Sequence, residues 1–287
     1  MPSPRLTIGF ACYDDIEGAF FTLSSLRLHH LGGRTGWELL VVDDHPNKTP
    51  DLESCASLAG ARYVHSSKNR GPAHAKNTVF DAARGEHVLL LDSHVLLAPG
   101  SIDYLLDAIE RGAIGRDMWC GPLLNESASV IATHLDPIWR GDFFGIWATD
   151  PDIAGGAIKE IPMHGAAHFV MRRDRWPGFS PSFQGFAGEE GYIHEKVRRA
   201  GGRVLCHPAL GWVHRFVRGK PITYSVTLSD KIYNYLIAFY EVGWSPQGVL
   251  DFFATTPHAA HSAAALQRAQ RVYPDLLRRS GRTFARA

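Results

Sequence analysis

The 287-residue chain has few cysteines, almost no net charge and no long apolar run. Its four cysteines are scattered, and none belongs to a Cys-x-x-Cys pair: Cys12, Cys55, Cys120 and Cys206. This scatter favours a reduced, cytoplasmic protein. The formal net charge of +1 disfavours nonspecific nucleic-acid binding by the body of the molecule.

Apolar runs in the chain are short. None approaches the roughly 20 residues that a membrane-spanning helix needs, and the N-terminal sequence MPSPRLTIGFACYDD enters a strand-like run without a charged leader. We therefore expect neither a signal peptide nor a membrane span. The hydrophobic content of 45% and the charged content of 21% are typical of an ordinary globular protein.

Apolar strand-like runs alternate with segments of helical periodicity in the first 110 residues. The predicted strands cover residues 6–11, 37–42, 61–65 and 87–91, and the predicted helices cover residues 19–30, 52–58, 71–83 and 101–110. Such alternation is typical of βαβ units, which build a mostly parallel sheet covered by helices on both faces.

The remainder of the chain is less regular. We predict strands at residues 119–123, 166–172 and 203–206, a long loop over residues 135–162, and helices at residues 189–200, 228–242 and 266–279. The last of these helices is basic. We expect one catalytic domain over residues 1–220 and a helical C-terminal extension over residues 221–287 that packs on or beside it.

Polar residues stand where the predicted strands end. Asp14, Asp43, Asp44, Asp92 and His94 occupy such positions. Because ligands of open α/β sheets bind at the carboxyl ends of the strands, these side chains indicate a site at one edge of the sheet.

The tripeptide Asp92-Ser93-His94 follows the fourth predicted strand. A carboxylate and an imidazole two residues apart can face one divalent ion, and mixed oxygen and nitrogen ligands suit Mn²⁺, with Mg²⁺ as a substitute. A turn in which Asp92 and Ser93 cap the next segment is the alternative, and the tripeptide by itself favours that turn.

A longer stretch, NRGPAHAKNTVFDAARGEHVLLLDSH, resembles the donor-binding half of family 2 glycosyltransferases. The positions that carry the resemblance are Asn69, Gly71, Lys76, Asn77, Ala83, Gly85 and Asp92. The earlier segment VVDDHPN resembles that family's VVDDGS segment. The resemblance implies a GT-A fold and a nucleotide-sugar donor whose base is contacted by Asp43 and Asp44, with Asp14 or Asp15 added.

His94 departs from most of family 2 and makes the motif similar to the Asp-Ser-His of polypeptide N-acetylgalactosaminyltransferases. The segments MHGAAHFVMRRDRW and FQGFAGEEGYIHEKVRRAGGRVLCHPALGWVHRF are similar to those enzymes too. This resemblance implies a third metal ligand at His214. The donor residues that it and family 2 imply together are Asp14, Asp43, Asp44, Asn69, Gly71, Lys76, Asp92, Ser93, Gly165 and Arg215.

Glu189 and Glu190 follow a glycine near the start of a predicted helix. Acidic residues there are favourable with the helix dipole, which is sufficient reason for their presence. The matching pair of family 2 implies instead that Glu190 is the base that activates the acceptor and that Glu189 contacts donor or acceptor hydroxyls. Because the polypeptide transferases retain configuration and carry Asn at the second position, inversion and retention both stay open.

The resemblance implies transfer of a hexosyl or N-acetylhexosaminyl group, most simply from a UDP-sugar, to a glycan, a protein or a small molecule. The Arg-rich C-terminus leaves a modified base of DNA as an alternative acceptor. A non-catalytic nucleotide-sugar-binding scaffold is a second alternative. A nucleotidyltransferase is disfavoured because ACYDDIEG, after the first strand, is not a glycine-rich loop.

Overall fold

The computed structural model describes residues 3–67, 71–216 and 226–286. The strands are β1 Leu6–Cys12, β2 Trp37–Asp43, β3 Arg62–His65, β4 His87–Asp92, β5 Val95–Leu97, β6 Met118–Cys120, β7 Leu123–Leu124, β8 Val130–Ala132, β9 His134–Arg140, β10 Phe143–Ala148, β11 Lys159–Glu160, β12 His168–Arg172, β13 Val204–Cys206 and β14 Trp212–His214. The α-helices are α1 Ile16–Ser25, α2 Leu52–Leu58, α3 Pro72–Ala82, α4 Ser101–Glu110, α5 Pro151–Ala154, α6 Tyr192–Arg199, α7 Leu228–Glu241, α8 Pro246–Ala254 and α9 Ala259–Val272.

A large sheet organises the described part of the chain. Its eight strands run in the order β11-β13-β6-β12-β4-β1-β2-β3, and a smaller sheet has the order β5-β14-β7-β8. Strands β1 to β4 pair in parallel, while β12 and β11 pair antiparallel with their neighbours. The predicted α/β architecture with a mostly parallel sheet is confirmed.

The register of the central strands brings the strand ends together. Along β1, Cys12 is opposite Asp43 of β2, and Ala11 is opposite Asp92 of β4. The side chains of β1 are almost entirely buried, which fits the continuous apolar run LTIGFAC. The acids that follow three different strands therefore lie at one edge of the sheet.

Local signals in the sequence explain where the helices near this edge begin. The Asp15 carboxylate accepts a hydrogen bond from the Gly18 N–H at 3.1 Å and caps α1. Helix α3 begins at Pro72, whose missing N–H costs nothing in a first turn. Gly71 has a φ of 103°, and a side chain there would collide with the Gly185 carbonyl.

Two predictions for the second half of the chain are wrong. Residues 135–162 do not form a long loop, because β9 and β10 pair as an antiparallel hairpin whose register shifts between Phe144 and Ile146. That irregularity and the interspersed Gly, Asp and Pro hide the alternation of apolar residues from a period count. Helix α8 was not predicted, and α9 begins at Ala259 and ends at Val272, seven residues early at each end.

The C-terminal helices share a hydrophobic core with the sheet. Trp139 of β9 stacks on Phe252 of α8 with ring centroids 4.5 Å apart and meets Tyr235 of α7 edge to face at 4.9 Å. All three rings are nearly inaccessible to water. Burying aromatic rings of this size contributes strongly to stability, so α7 and α8 hold the β9–β10 hairpin against the body of the protein.

Several of the C-terminal arginines are engaged within the chain. Arg268 pairs with Asp230 at 2.7 Å, and Arg279 donates to the Tyr240 carbonyl at 2.7 Å. Arg286 donates to the Phe252 carbonyl at 2.9 Å, and the Arg282 guanidinium lies 4.8 Å from the centroid of the Phe284 ring. Because these arginines make contacts within the chain, the Arg-rich C-terminus is weaker evidence that DNA is the acceptor.

Among the residues that the structure describes, no helix combines the length and the apolar character that crossing a membrane would require.

Glu241, at the end of α7, connects the C-terminal helices to the segment before α6 and to α6 itself. Its carboxylate accepts hydrogen bonds from Ser180 at 2.6 Å, from Tyr273 at 2.8 Å and from Tyr192. We predict that Glu241→Ala lowers the free energy of unfolding by about 2–4 kcal/mol, because three partly buried hydroxyls lose a charged acceptor. Urea unfolding of the purified protein measures this loss.

Glu53→Ala is the matched control. Glu53 contacts Lys48 across an exposed ion pair at 3.0 Å, which contributes little to stability. A Glu241→Ala midpoint no lower than that of Glu53→Ala would contradict the structural role of Glu241.

Candidate active site

A cavity of about 1230 Å³ opens at the carboxyl edge of the large sheet. Its wall is formed by the ends of β1, β2 and β4, by the start of α3, by the segment of residues 181–190, by β10 and by α7. The volume exceeds the 300–1,000 Å³ usual for a site that holds one small ligand. The cavity is therefore large enough for two small molecules side by side.

Asp92, His94 and His214 form a compact group of metal-ligand atoms in this cavity. One ligand atom of each lies within 4.8 Å of the others. The two Nε2 atoms of His94 and His214 are 3.2 Å apart, and His214 Nε2 is 3.7 Å from Asp92 Oδ2. Strand β14 brings His214 into place by pairing antiparallel with β5, where it is opposite Val95.

Asp15 orients the imidazole of His94. Its Oδ2 atom is 2.7 Å from His94 Nδ1 and 2.9 Å from the Ser93 hydroxyl. Burial raises the pKa of the Asp15 carboxyl, but the hydrogen bonds from His94 and Ser93 outweigh burial and lower that pKa to about 2. With Nδ1 held by a carboxylate, Nε2 of His94 is the atom left to face a metal ion.

Asp14 and Asp15 lie in different surroundings, although the sequence analysis gave either of them as a contact to the nucleotide-sugar donor. Asp15 lines the cavity, whereas Asp14 is absent from its wall. Asp14 has a φ of 50°, and its backbone N–H donates to the Thr49 hydroxyl at 3.1 Å. The signal that distinguishes them is the N-cap position of Asp15, three residues before Gly18.

Lys76 supplies positive charge beside Asp92. Its Nζ atom lies 3.7 Å from Asp92 Oδ1, and its side chain is largely buried in the wall of the cavity. Burial raises the pKa of the Asp92 carboxyl, yet the charge of Lys76 and the hydrogen bond from His214 hold that pKa well below its usual range. Asp92 is therefore a carboxylate and a competent metal ligand.

Asp43 and Asp44 are adjacent but face different surroundings. The Asp43 carboxylate accepts hydrogen bonds from the Thr49 N–H at 2.7 Å, the Thr49 hydroxyl at 2.9 Å and the Tyr63 hydroxyl at 2.7 Å. Asp43 does not reach the cavity wall, while Asp44 does. Burial, with repulsion from Asp43, raises the pKa of Asp44 to about 7. Asp44 thus faces the cavity, and Asp43 holds the loop by its hydrogen bonds to Thr49.

Glu189 and Glu190 both line the cavity, just before α6 begins at Tyr192. Glu189 is 2% exposed, and neither of its carboxyl oxygens has a hydrogen-bond partner within the described residues. Burial, reinforced by the charge of Glu190, raises the pKa of Glu189 to about 8. The raised pKa favours the protonated form of Glu189, which can donate a hydrogen bond, while Glu190 is the more accessible carboxyl.

The remaining predicted donor residues divide into three groups. Ser93, Gly71 and Gly165 line the cavity. Arg215 does not; its guanidinium lies 5.4 Å from the centroid of the Phe21 ring, and its backbone N–H donates to the His94 carbonyl. Asn69 lies outside the described residues.

We predict that Glu189→Gln changes how stability depends on pH. A carboxyl whose pKa is raised by folding keeps its proton in the native state and loses it in the unfolded state, so stability falls as the pH rises from about 4.5 towards 8. Gln cannot ionise, so the variant lacks this fall. Urea unfolding of both proteins at several pH values between 4.5 and 8.5 measures the difference.

Glu195→Gln is the control, since Glu195 makes surface ion pairs with Arg198 and Arg199. If the stability of Glu189→Gln and of the wild type fell in parallel across this range, Glu189 would not be protonated in the native state.

The chain resembles known proteins in sequence over part of its length and in structure over most of it. The protein family described as "Glycosyl transferase family 2" matches this sequence over residues 18–125. GalNAc-T7, crystallised with UDP, GalNAc and Mn²⁺, superposes with a TM-score of 0.70 and 14% identity, covering 95% of this chain. This chain spans only 55% of GalNAc-T7.

S. aureus TarS, crystallised in complex with UDP-GlcNAc, superposes with a TM-score of 0.60 and 13% identity. That match covers 94% of this chain and 75% of the crystallised TarS fragment. No curated protein matches the sequence. Together, the family match over residues 18–125 and the two superpositions show that the chain has the GT-A fold and is similar to family 2 glycosyltransferases.

Proposed function

We propose that this protein is a metal-dependent glycosyltransferase that moves a hexosyl or N-acetylhexosaminyl group from a UDP-sugar to an acceptor hydroxyl. The observation that carries the proposal is the group of Asp92, His94 and His214, whose ligand atoms lie within 4.8 Å of one another in the wall of the cavity. The catalytic unit of the proposal covers residues 1–220, and residues 221–287 support it.

The donor set of this group fits a divalent ion. Two imidazole nitrogens and one carboxylate oxygen suit Mn²⁺, with Mg²⁺ as a weaker alternative. Asp15 fixes the His94 ring by the hydrogen bond to Nδ1, as metal-binding imidazoles usually require. A bound ion would supply positive charge that offsets the charge developing on a diphosphate leaving group.

The donor nucleotide has a place on the side of the cavity formed by β1 and β2. Asp44 and Tyr13 line the wall there, and Tyr13 lies 5.0 Å from the His45 ring. A buried carboxyl and an aromatic face suit the hydrogen-bonding edge and the flat face of a base. UDP is preferred because GalNAc-T7 and TarS were crystallised with UDP and UDP-GlcNAc.

The donor sugar lies next to Gly165 and Glu189 in this proposal. Trp147 crowds Gly165, where an added Cβ would come within 3.0 Å of the indole ring. The glycine thus leaves room at a narrow point of the wall. The protonated Glu189 carboxyl, with no hydrogen-bond partner within the described residues, would donate to a hydroxyl of the donor sugar.

Glu190 is the proposed base. It lines the same cavity as the metal group and is more accessible than Glu189, which holds its own proton at neutral pH. A carboxylate in this place can accept the proton of the acceptor hydroxyl as that hydroxyl attacks the anomeric carbon. With Glu190 in this role, we expect transfer with inversion.

We predict that His94→Ala abolishes the Mn²⁺-dependent part of UDP binding. Removing one of three metal ligands should weaken UDP affinity in the presence of Mn²⁺ on the order of tenfold or more and leave affinity without the ion little changed. Isothermal titration of UDP with and without Mn²⁺ measures both values.

His29→Ala is the matched control, because His29 is exposed on the π-helical turn after α1. Equal Mn²⁺ dependence in His94→Ala and in the wild type would remove His94 from the metal site. If the wild type binds no UDP with Mn²⁺, the proposed function fails.

We predict that Glu190→Gln lowers the rate of transfer by roughly 10²–10⁴-fold while UDP binding persists, because Gln keeps the shape of the side chain but cannot accept a proton. UDP release in the presence of acceptor, measured beside UDP affinity, separates the two effects. Glu126→Gln, on an exposed turn, is the control. Normal turnover of Glu190→Gln would exclude Glu190 as the base.

A further inference from the structure

The β9–β10 hairpin places two aromatic side chains in the wall of the cavity. Phe143 and Trp147, both on β10, line it and are 46% and 38% exposed. The irregularity of β10 between Phe144 and Ile146 lies between them. The two rings therefore give one strand two exposed aromatic surfaces in the cavity wall, with Trp147 next to Gly165.

A cation–π contact with Lys231 holds the Phe143 ring in place. The Lys231 ammonium lies 3.6 Å from the centroid of its ring, and the same ammonium pairs with Asp142 at 2.6 Å. Lys231 is 3% exposed, so this is a desolvated cation–π contact, the strongest kind. Asp142 offsets the charge of Lys231, and the Phe143 ring is a fixed apolar surface.

Trp147 is fixed by different neighbours. Its indole packs against Gly165 and meets the His164 ring edge to face at 5.3 Å. His164 is fully buried, and burial lowers its pKa to about 4, so the ring under the indole is neutral. Both aromatic side chains are thus rigid and keep exposed surface at the cavity.

The charge of the cavity restricts what can lie on these rings. Among the described residues that line it there are six acids: Asp15, Asp44, Asp92, Asp230, Glu189 and Glu190. Lys76 is the sole lysine or arginine of the described lining. Even with Glu189 protonated and one divalent ion bound, the diphosphate of a donor keeps the balance negative. A polyanionic acceptor would be repelled.

We propose that the acceptor is an uncharged oligosaccharide whose sugar rings pack on Phe143 and Trp147. This rests on the proposed function, since it names the second substrate of the same cavity. A sugar ring combines an apolar face, which fits an aromatic surface, with hydroxyls at its edge, one of which must meet Glu190. The two rings on one strand fit a chain of sugars rather than a single flat base.

The test uses the 287-residue protein saturated with UDP and Mn²⁺. It is applied to a glycan array that carries neutral, sulfated and sialylated oligosaccharides, with single-stranded DNA oligonucleotides beside them. Binding to neutral oligosaccharides is the expected result. Binding that favours sulfated or sialylated glycans or DNA overturns the proposal, and so does the absence of binding to every neutral glycan.

Variants test the two rings directly. Phe143→Ala and Trp147→Ala should each weaken affinity for the best neutral glycan roughly tenfold, and Phe143→Tyr and Trp147→Phe should restore most of it. Phe20→Ala is the matched control, because Phe20 is 57% exposed on α1 and absent from the cavity wall. Affinities of Phe143→Ala and Trp147→Ala equal to that of Phe20→Ala overturn the proposal.

The two proposals fail separately. If the wild type does not bind UDP with Mn²⁺, the proposed function fails and the acceptor proposal falls with it. If it binds UDP with Mn²⁺ but binds no neutral glycan, or binds one without using the two rings, only the acceptor proposal is lost.

Discussion

The parallel pairing of β1 with β2 and β4 is the constraint on which the site depends. Its register sets Cys12 opposite Asp43 and Ala11 opposite Asp92. If one strand slipped by one residue against its neighbour, each of its side chains would point to the opposite face of the sheet. The pairing register is therefore strongly fixed. The loops that follow the three strands must consequently open at one place, and their acids share one cavity.

The cavity contains carboxyl groups whose burial lowers the stability of the fold unless another group compensates for it. Asp92 keeps its charge beside Lys76, and Asp15 keeps its charge through the hydrogen bonds from His94 and Ser93. Glu189 has no such compensation and holds a proton instead. An unpaired buried carboxyl lowers the stability of a folded protein. Such groups are commonly found at functional sites. In the proposed function the three carboxyl groups would serve as metal ligand, orienting group and hydrogen-bond donor.

The C-terminal helices support the elements that form the cavity. Helix α7 supplies Lys231 behind Phe143, Tyr235 against Trp139, and Glu241 beneath the start of α6. Without these contacts the β9–β10 hairpin would present its apolar face to water. The hairpin and the helices therefore depend on each other, and both contribute to the wall of the cavity.

The sequence alone determined the alternation of strands and helices in the first 110 residues, the helix over residues 71–83 and the presence of acids at the strand ends, because these follow from local periodicity and from turn chemistry. The resemblance of its motifs also pointed to the GT-A fold, which is confirmed, and to Asp92, His94 and His214. Local patterns did not separate Asp15 from Asp14 or Asp44 from Asp43, because adjacent residues differ only in the direction of their side chains.

The tertiary structure alone decided what lies far apart in the sequence. It placed His214 beside His94 through the pairing of β14 with β5, and it buried Glu189 without a partner within the described residues. It also turned an irregular segment into the β9–β10 hairpin, since the pairing of β10 with β9 and the packing on α7 outweigh the Gly and Asp residues that favour a loop. Each of these outcomes depends on contacts between distant segments, which no local pattern encodes.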